Sequence, residues 1–375
     1  MRILLLPRYG PQGASSRYRI WQYAPLFERA GHEVEVQPLV DDGYVKELYK
    51  TGRGLKWLAA GYARRLLGLL RVRRFDVVIC EQEVLPFLPE SIELFFLSRC
   101  RRFFADYDDA AYTKYSRWAA LRQKIPKLIA AADTVVVGND HLARYARQFT
   151  RRVCIIPTVV DLARYWRRWE SAPRDTVRVA WIGTPHTAKF LKPLIPVMER
   201  LQYEHPTMSF RLIGAGNGFL RNGLRLEVLA WSEQTEIDLL SECDIGIMPL
   251  PDGEFMRGKC GLKLVQYMAC GLPTVASPVG VNTEMVEEGK NGFLAASDDE
   301  WLEKLDRLVR HPELRRSLGE AGRSKVEAGY TLEHGFAKWQ EILEGAQSGR
   351  DFEQPHDGQC LRPKRPLQSI QHPSV

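Results

Sequence analysis

Lys259, between Gly258 and Gly261, and Lys263, just after them, bracket the expected start of a helix in the stretch RGKCGLKLVQYMACG (257–271), with Gln266 a further turn along. That pattern suits an anion. The glycines keep the loop backbone open to a ligand, a helix beginning near Leu262 turns unpaired N–H groups towards it, and two ammonium groups add charge. Gln266 shares a helix face with Leu262 and Lys263 and can both donate to and accept from a hydroxyl. The plainer alternative is a glycine-rich connector with solvated lysines.

Three other stretches place reactive side chains just after apolar runs. In WIGTPHTAKF (181–190), Gly183 makes a turn and is followed by Thr184, His186 and Lys189. A cation in a first helical turn opposes the helix dipole unless an anion is nearby, which argues for a phosphate role at Lys189. His186 reads as a turn or surface histidine, since no acid is paired with it. PRYGPQGASSRYR (7–19) combines Gly10 and Gly13 with Ser15 and Ser16 as helix caps. Its Arg17 and Arg19 are guanidinium forks suited to phosphate or carboxylate; an ordinary strand–helix turn would use the same residues. ADYDDAAY (105–112) clusters Asp106, Asp108 and Asp109. These acids could bind a metal, accept protons or hydrogen-bond sugar hydroxyls, and Asp108 and Asp109 fit equally well as helix caps. The glycines of LIGAGNGFL (212–220) are spaced too loosely for a dinucleotide fingerprint.

These residues need strands and helices to hold them. Near-continuous apolar runs at 2–7, 33–40, 75–81, 101–107, 133–138 and 151–157 alternate with helical patterns such as Ser16–Ala30 and Ala119–Ala132. That alternation predicts parallel strands covered on both faces. It restarts at 176–183, 208–216, 224–230, 243–250 and 272–277. The fold class is α/β with two Rossmann-like domains facing each other across a cleft. The expected boundaries are an N-terminal domain at 1–157, a linker at 158–175 and a C-terminal domain at 176–330. A C-terminal helix at 331–345 is expected to pack back on the first domain, and 346–375 to form a disordered tail. Helices are also expected near 298–310 and 312–328. Ligands in open α/β sheets bind beyond the carboxyl ends of the strands, where these reactive stretches all fall.

Composition sets outer limits. With 375 residues, 45% hydrophobic and 26% charged, the chain can bury two cores. A formal net charge of +7 suits phosphates, nucleic acid or a lipid surface without choosing among them. The 7 cysteines form no CxxC, so neither zinc ligation nor a disulfide framework is indicated and a reduced, cytosolic chain is expected. The opening MRILLLPRYG is too short in its apolar run for a signal peptide, and no run approaches the roughly 20 residues of a membrane span. The segment LKWLAAGYARRLLGLLRVRR (55–74) sets Leu and Trp among Lys and Arg at helical spacing. It fits a core-facing helix with a basic outer face or a helix lying on an anionic membrane, and RCRRFF (99–104) adds charge nearby.

GLKLVQYMACGLPTVASPVGVNTEMVEEGKNGFL (261–294) resembles the signature region of retaining GT-B glycosyltransferases of family 4. AGHEVEV (30–36), IPTVVDLARY (156–165) and WIGTPHTAKF resemble further segments of that family, with Thr158 and Val159 standing where the family carries Asn and Gly. The resemblance spans about residues 1–345. It implies retaining sugar transfer from a nucleotide-diphosphate sugar to a saccharide or lipid-linked acceptor. It implies no cofactor or metal, no nucleic-acid partner, and a cytoplasmic place at the inner face of the membrane in envelope polysaccharide or glycolipid synthesis. Peripheral membrane contact through helix 55–74 would accompany that place.

The resemblance also distributes roles. Lys189 and Lys263 would stabilise the diphosphate, with Asp109 as a further catalytic candidate. Gly183, Thr184, Glu254, Arg257, Lys259, Cys260, Gly261, Leu262 and Gln266 would bind the donor. Gly13, Ser15, Ser16, Arg17, Arg19, Asp106 and Asp108 would bind the acceptor. The family's E-x7-E acids fall on Gly258 and Gln266. Gln266 can still serve a ribose hydroxyl, whereas Gly258 cannot replace the sugar-contacting carboxylate unless Glu254 reaches in. The Arg of the family's Arg/Lys pair falls on Thr184, leaving Arg257, Lys259 or Lys263 to supply that charge. A sugar-nucleotide epimerase of the same fold and a non-catalytic nucleotide-sugar-binding protein are the alternatives.

Overall fold

Among the described residues, twelve strands form two six-stranded sheets in which every pairing is parallel. The computed structural model describes residues 1–44, 47, 55–165, 176–219 and 223–347. The first sheet has the order β2-β1-β3-β4-β5-β6. Its strands are β1 (Arg2–Leu6), β2 (Glu33–Val36), β3 (Val77–Glu81), β4 (Phe103–Tyr107), β5 (Thr134–Val137) and β6 (Val153–Ile155). The second has the order β12-β11-β10-β7-β8-β9. It comprises β7 (Arg178–Ile182), β8 (Ser209–Ile213), β9 (Leu226–Leu229), β10 (Ile245–Met248), β11 (Thr274–Ala276) and β12 (Gly292–Leu294). Eleven of these lie in the apolar runs of the sequence. β12 was missed because three residues, GFL, carry no readable period.

Six helices frame the cavity and the outer faces of the first sheet: α1 (Ala14–Arg19), α2 (Leu55–Leu69), α3 (Glu90–Leu97), α4 (Lys124–Ala131), α5 (Leu262–Ala269) and α6 (Leu332–Gln347). Side chains alternate between the faces of a strand, so the first sheet feeds two cores. Leu4, Leu6, Val78, Cys80, Ala105 and Val137 meet Leu69 of α2, Leu97 of α3 and Ile125 of α4 on one face. Ile3, Leu5, Val77, Ile79 and Phe104 meet Tyr23, Phe27 and, from α6, Trp339, Ile342 and Leu343 on the other. The chain's last described helix thus returns to the first sheet.

Two helix expectations change. Residues 16–30 are not one helix: α1 stops at Arg19, a 3-10 turn spans Trp21–Tyr23, and a second helix spans Ala24–Arg29. Pro25 sits in that helix's first turn, where its missing N–H costs nothing, and in a continuous helix it would clash one turn back. The helix expected from Ala119 begins at Lys124 for the same reason, since Pro126 belongs in a first turn. At the other end α6 runs to Gln347, past the start of the expected tail. The remainder of that tail and residues 166–175 of the expected linker lie outside the described residues. No helix among the described residues is long and apolar enough to cross a membrane.

Candidate functional site

A cavity of about 850 Å³ opens between the two sheets. Its walls are segments that follow the carboxyl ends of β1, β4, β7, β8 and β9, together with the amino end of α5. Gly13, Ser15, Arg17, Asp108 and Asp109 line it from the first sheet. Gly183, Thr184, Lys259, Cys260, Gly261, Leu262, Lys263 and Gln266 line it from the second.

The loop before α5 is clamped to the first half of the molecule. Asn139 Nδ2 donates to the Gly258 carbonyl at 3.0 Å and to the Lys259 carbonyl at 3.1 Å, and Cys260 Sγ donates to the Asp108 carbonyl at 2.9 Å. A Cβ on residue 258 would lie 2.7 Å from Ala110 Cβ and 2.9 Å from its backbone nitrogen. A carboxylate side chain there would collide with Ala110, so the position where the resemblance expects an acid has room only for glycine. Gly261 caps α5 at φ +70° with Met285 Sδ 2.6 Å from where a Cβ would stand, so conformation and space both require glycine.

Two lysines meet the cavity in different states. Lys259 Nζ lies 2.8 Å from Asp109 Oδ1. Burial disfavours its charge, but Asp109 outweighs that and raises its pKa. Burial pushes the Asp109 carboxyl up to about 6 despite Lys259. Lys263 makes no ion pair among the described residues; its ammonium lies 5.5 Å from the Trp181 ring centroid. Burial first, then repulsion from Lys259, lowers its pKa to about 8. A desolvated cation with no ion pair among the described residues, beside a helix start, has the chemistry to hold an anion.

Opposite, Arg17 reaches from α1 into the second half. Its NH2 donates to both Glu236 carboxylate oxygens at 3.2 Å, and its guanidinium lies 4.8 Å from the Tyr18 and Trp231 ring centroids. Its Nε and NH1 are buried with no hydrogen-bond partner among the described residues, leaving three N–H groups unmet beside the cavity wall. Glu236 also accepts from Trp231 Nε1 at 2.7 Å and Tyr18 Oη at 3.1 Å. Gln266 is buried and donates to Tyr18 Oη at 3.2 Å and Tyr165 Oη at 3.4 Å. Sequence reasoning missed Glu236, Trp231 and Tyr165; an acid opening the helix Glu236–Ser241 resembles any helix start.

A second network lies beneath the wall of the first sheet. Ser15 Oγ contacts Glu81 Oε1 at 2.6 Å and also Asp108, while Ser16 Oγ meets the other Glu81 oxygen. One hydroxyl has one proton, so a proton on one of the two carboxyls completes the Ser15 pair of contacts. Burial, then the Asp108 charge, raises the Glu81 pKa in that direction. Glu81 was missed too, although an acid closing a fully buried strand is a readable signal.

Several expected site residues lie elsewhere. Lys189 is exposed and off the cavity wall, with Nζ 3.5 Å from His186 Nε2. The segment forms a 3-10 stretch, Ala188–Leu194, instead of an α-helix start, so the dipole argument for Lys189 loses its basis. Glu254 does not reach in: it accepts from Tyr112 Oη at 2.5 Å and lies 3.1 Å from His141 Nε2. Arg257 is half-exposed and pairs with Asp252 at 2.7 Å. Ser16 and Asp106 are fully buried and absent from the cavity wall. Arg19 touches the wall, but its donors go to Asp106 and to the Ile156 carbonyl at 2.7 Å, so the pair ties α1 to β4. Among the described residues, one group has metal-ligand spacing: Glu204, His205 and Asp306. Arg200 and Arg310 already pair with its acids, and it is remote from the cavity wall.

Residues 176–311 match the family model described as glycosyl transferases group 1. Spore coat protein SA of Bacillus subtilis is 24% identical, with 92% of this chain aligned to 96% of that protein. Sucrose-phosphate synthase from Thermosynechococcus elongatus superposes with TM-score 0.70 at 15% identity, covering 93% of this chain and all of that one. Anabaena HepE in complex with UDP-glucose gives 0.68 at 16% identity, covering 92% of this chain and 100% of HepE. The two-sheet architecture is the GT-B fold, and residues 176–311 are similar to group 1 glycosyl transferases.

Proposed function

We propose that this GT-B protein transfers a glycosyl group from a nucleoside-diphosphate sugar to a hydroxyl acceptor, with retention at the anomeric carbon. The observation that carries the reading is Lys263: a desolvated ammonium with no ion pair among the described residues, at the amino end of α5, on the cavity wall, inside the segment that matches group 1 glycosyltransferases. The bond from the anomeric carbon to the diphosphate breaks as the bond to the acceptor oxygen forms. The diphosphate gains charge in the transition state, where Lys263, Lys259 and the α5 N–H groups stabilise it. The acceptor proton passes to the leaving phosphate or to Asp109. Gln266 serves the ribose after leaving Tyr18 and Tyr165. Ser15 and Asp108 meet acceptor hydroxyls. No step in this scheme calls on a metal or cofactor. The likeness to a spore coat protein fits a place in surface-polymer synthesis; glycolipid synthesis at the inner face of the membrane is the corresponding lipid-linked reading.

Incubating the pure protein with UDP-, GDP- and ADP-sugars and a panel of saccharide acceptors tests this. Acceptor-dependent release of nucleoside diphosphate, with the product's anomeric configuration matching the donor's by NMR, is expected. Inversion within the free sugar would mark an epimerase instead. The exclusion of any side chain at Gly258 favours one other reading, nucleotide-sugar binding without transfer; binding of donors with no turnover on any acceptor would establish it.

A further inference from the structure

We propose that the layer formed by α2, α3, α4 and the segment 111–122 docks on an anionic lipid bilayer. These elements cover the same face of the first sheet: Leu69, Leu97, Tyr115, Leu121 and Ile125 all pack inward against it. Their outer surfaces therefore face the same way. Large apolar side chains stand out there, with Leu70 69% exposed, Leu67 66%, Phe95 56%, Trp118 53% and Phe87 47%. The segment 55–74 is the helix α2 followed by a turn, and it has two faces: Leu66 and Leu69 enter the core, while Leu67 of α2 and Leu70 just after it face outward.

The charge is one-sided. Between residues 56 and 127 every charged side chain in the exposed class is basic, while each acid is buried or half-buried. Arg73, Arg74, Arg117 and Arg122 are exposed and make no ion pair among the described residues. Basic side chains around protruding Leu, Phe and Trp match the charge and the apolar depth of an anionic membrane interface. A second copy of this surface would bring unneutralised arginines together. A nucleic acid would leave Leu67, Leu70 and Ile92 without apolar contact.

One part of the layer is built to protrude. Phe87 has φ +63°, a conformation costly for a bulky residue. Its N–H donates to Tyr115 Oη at 2.9 Å, and its ring lies 5.9 Å from Trp118 with Lys114 Nζ 4.0 Å away. Glu83 accepts from Tyr115 and Lys114 underneath. The next residue back, Gln82, donates to Asp108 on the cavity wall at 3.0 Å. The apolar tip thus adjoins the first-sheet wall of the cavity. That the acceptor itself is carried in the bilayer rests on the glycosyl-transfer reading; the docking does not.

Vesicle flotation with the full chain tests the docking without any sugar donor. Binding to phosphatidylglycerol/phosphatidylcholine vesicles is expected to exceed binding to pure phosphatidylcholine at least about tenfold and to fall with added salt. The variant R73E/R74E/R117E and the variant L67S/L70S/F95S should each lose at least about tenfold in vesicle binding. Both should keep the parent's thermal midpoint shift with UDP, GDP or ADP. Equal binding to neutral vesicles, or both variants floating like the parent, overturns the proposal. So does an RNA oligonucleotide bound more tightly than vesicles, or a dimer that R73E/R74E/R117E dissociates. Vesicle binding with no turnover of any nucleotide sugar would sustain the docking and remove the glycosyl-transfer reading.

Discussion

At the scale of single residues, the two lysines proposed for the diphosphate separate. Lys263 lies on the cavity wall and Lys189 does not. Replacing Lys263 with Ala should lower turnover about 10²–10³-fold, the usual loss for a group acting on transition-state charge, while Lys189→Ala should leave it nearly unchanged; steady-state kinetics with the best donor checks both. The Lys263 pKa near 8 gives a sign to the pH dependence. An anion binds the protonated lysine, so nucleoside-diphosphate affinity in the free protein should fall as pH rises through about 8. Binding raises the lysine's pKa in turn, so turnover at saturating donor should fall only at higher pH. Lys263→Arg keeps its charge throughout and should flatten the affinity profile measured by calorimetry.

At the scale of elements, the cavity is held by segments that stop where they must. Gly261 begins α5 at φ +70°, which glycine adopts without strain, and that start lies on the cavity wall. Across the sheet, the loop that lifts Phe87 rests on Lys124, which is fully buried. Lys124 contacts Glu93 at 2.6 Å and Glu83 at 3.0 Å and donates to the Leu85 and Leu88 carbonyls. Lys124→Ala would strand two buried acids. A loss of about 3–5 kcal/mol in urea unfolding is expected, larger than for any exposed lysine of the same layer.

At the scale of the whole molecule, α6 joins the ends of the chain. Trp339 is 1% exposed and packs edge-on against Tyr23 and Phe27 of the first half at 6.4 and 6.3 Å between ring centroids. Trp339→Ala should cost about 3–5 kcal/mol. Hydrogen exchange should report the loss in β1 and the helix Ala24–Arg29, although the substitution lies beyond the second sheet in sequence. A loss confined to the second half would contradict this packing.

Much of this was legible in the chain. Eleven strands lie in readable runs: the central ones because a parallel strand buried on both faces is apolar along its length, the edge strands β2 and β9 through the alternation of Glu with Val or Leu; β12, at three residues, could not be read. The glycine-capped, lysine-bearing start of α5 was legible too, since glycine, lysine and a helix start are neighbours in sequence. The sequence by itself determined which segments form sheets and where the strand ends must lie. It could not show which side chains at those ends meet. Arg17 finds Glu236 across 219 positions, Gln266 finds Tyr18 across 248, and Gly258 meets Ala110 closely enough to exclude any side chain. Those contacts depend on how two separately legible sheets face each other. Local patterns carry no record of that approach, so only the tertiary structure could move Lys189, Glu254 and Arg257 out of the site and bring Arg17 and Glu236 into it.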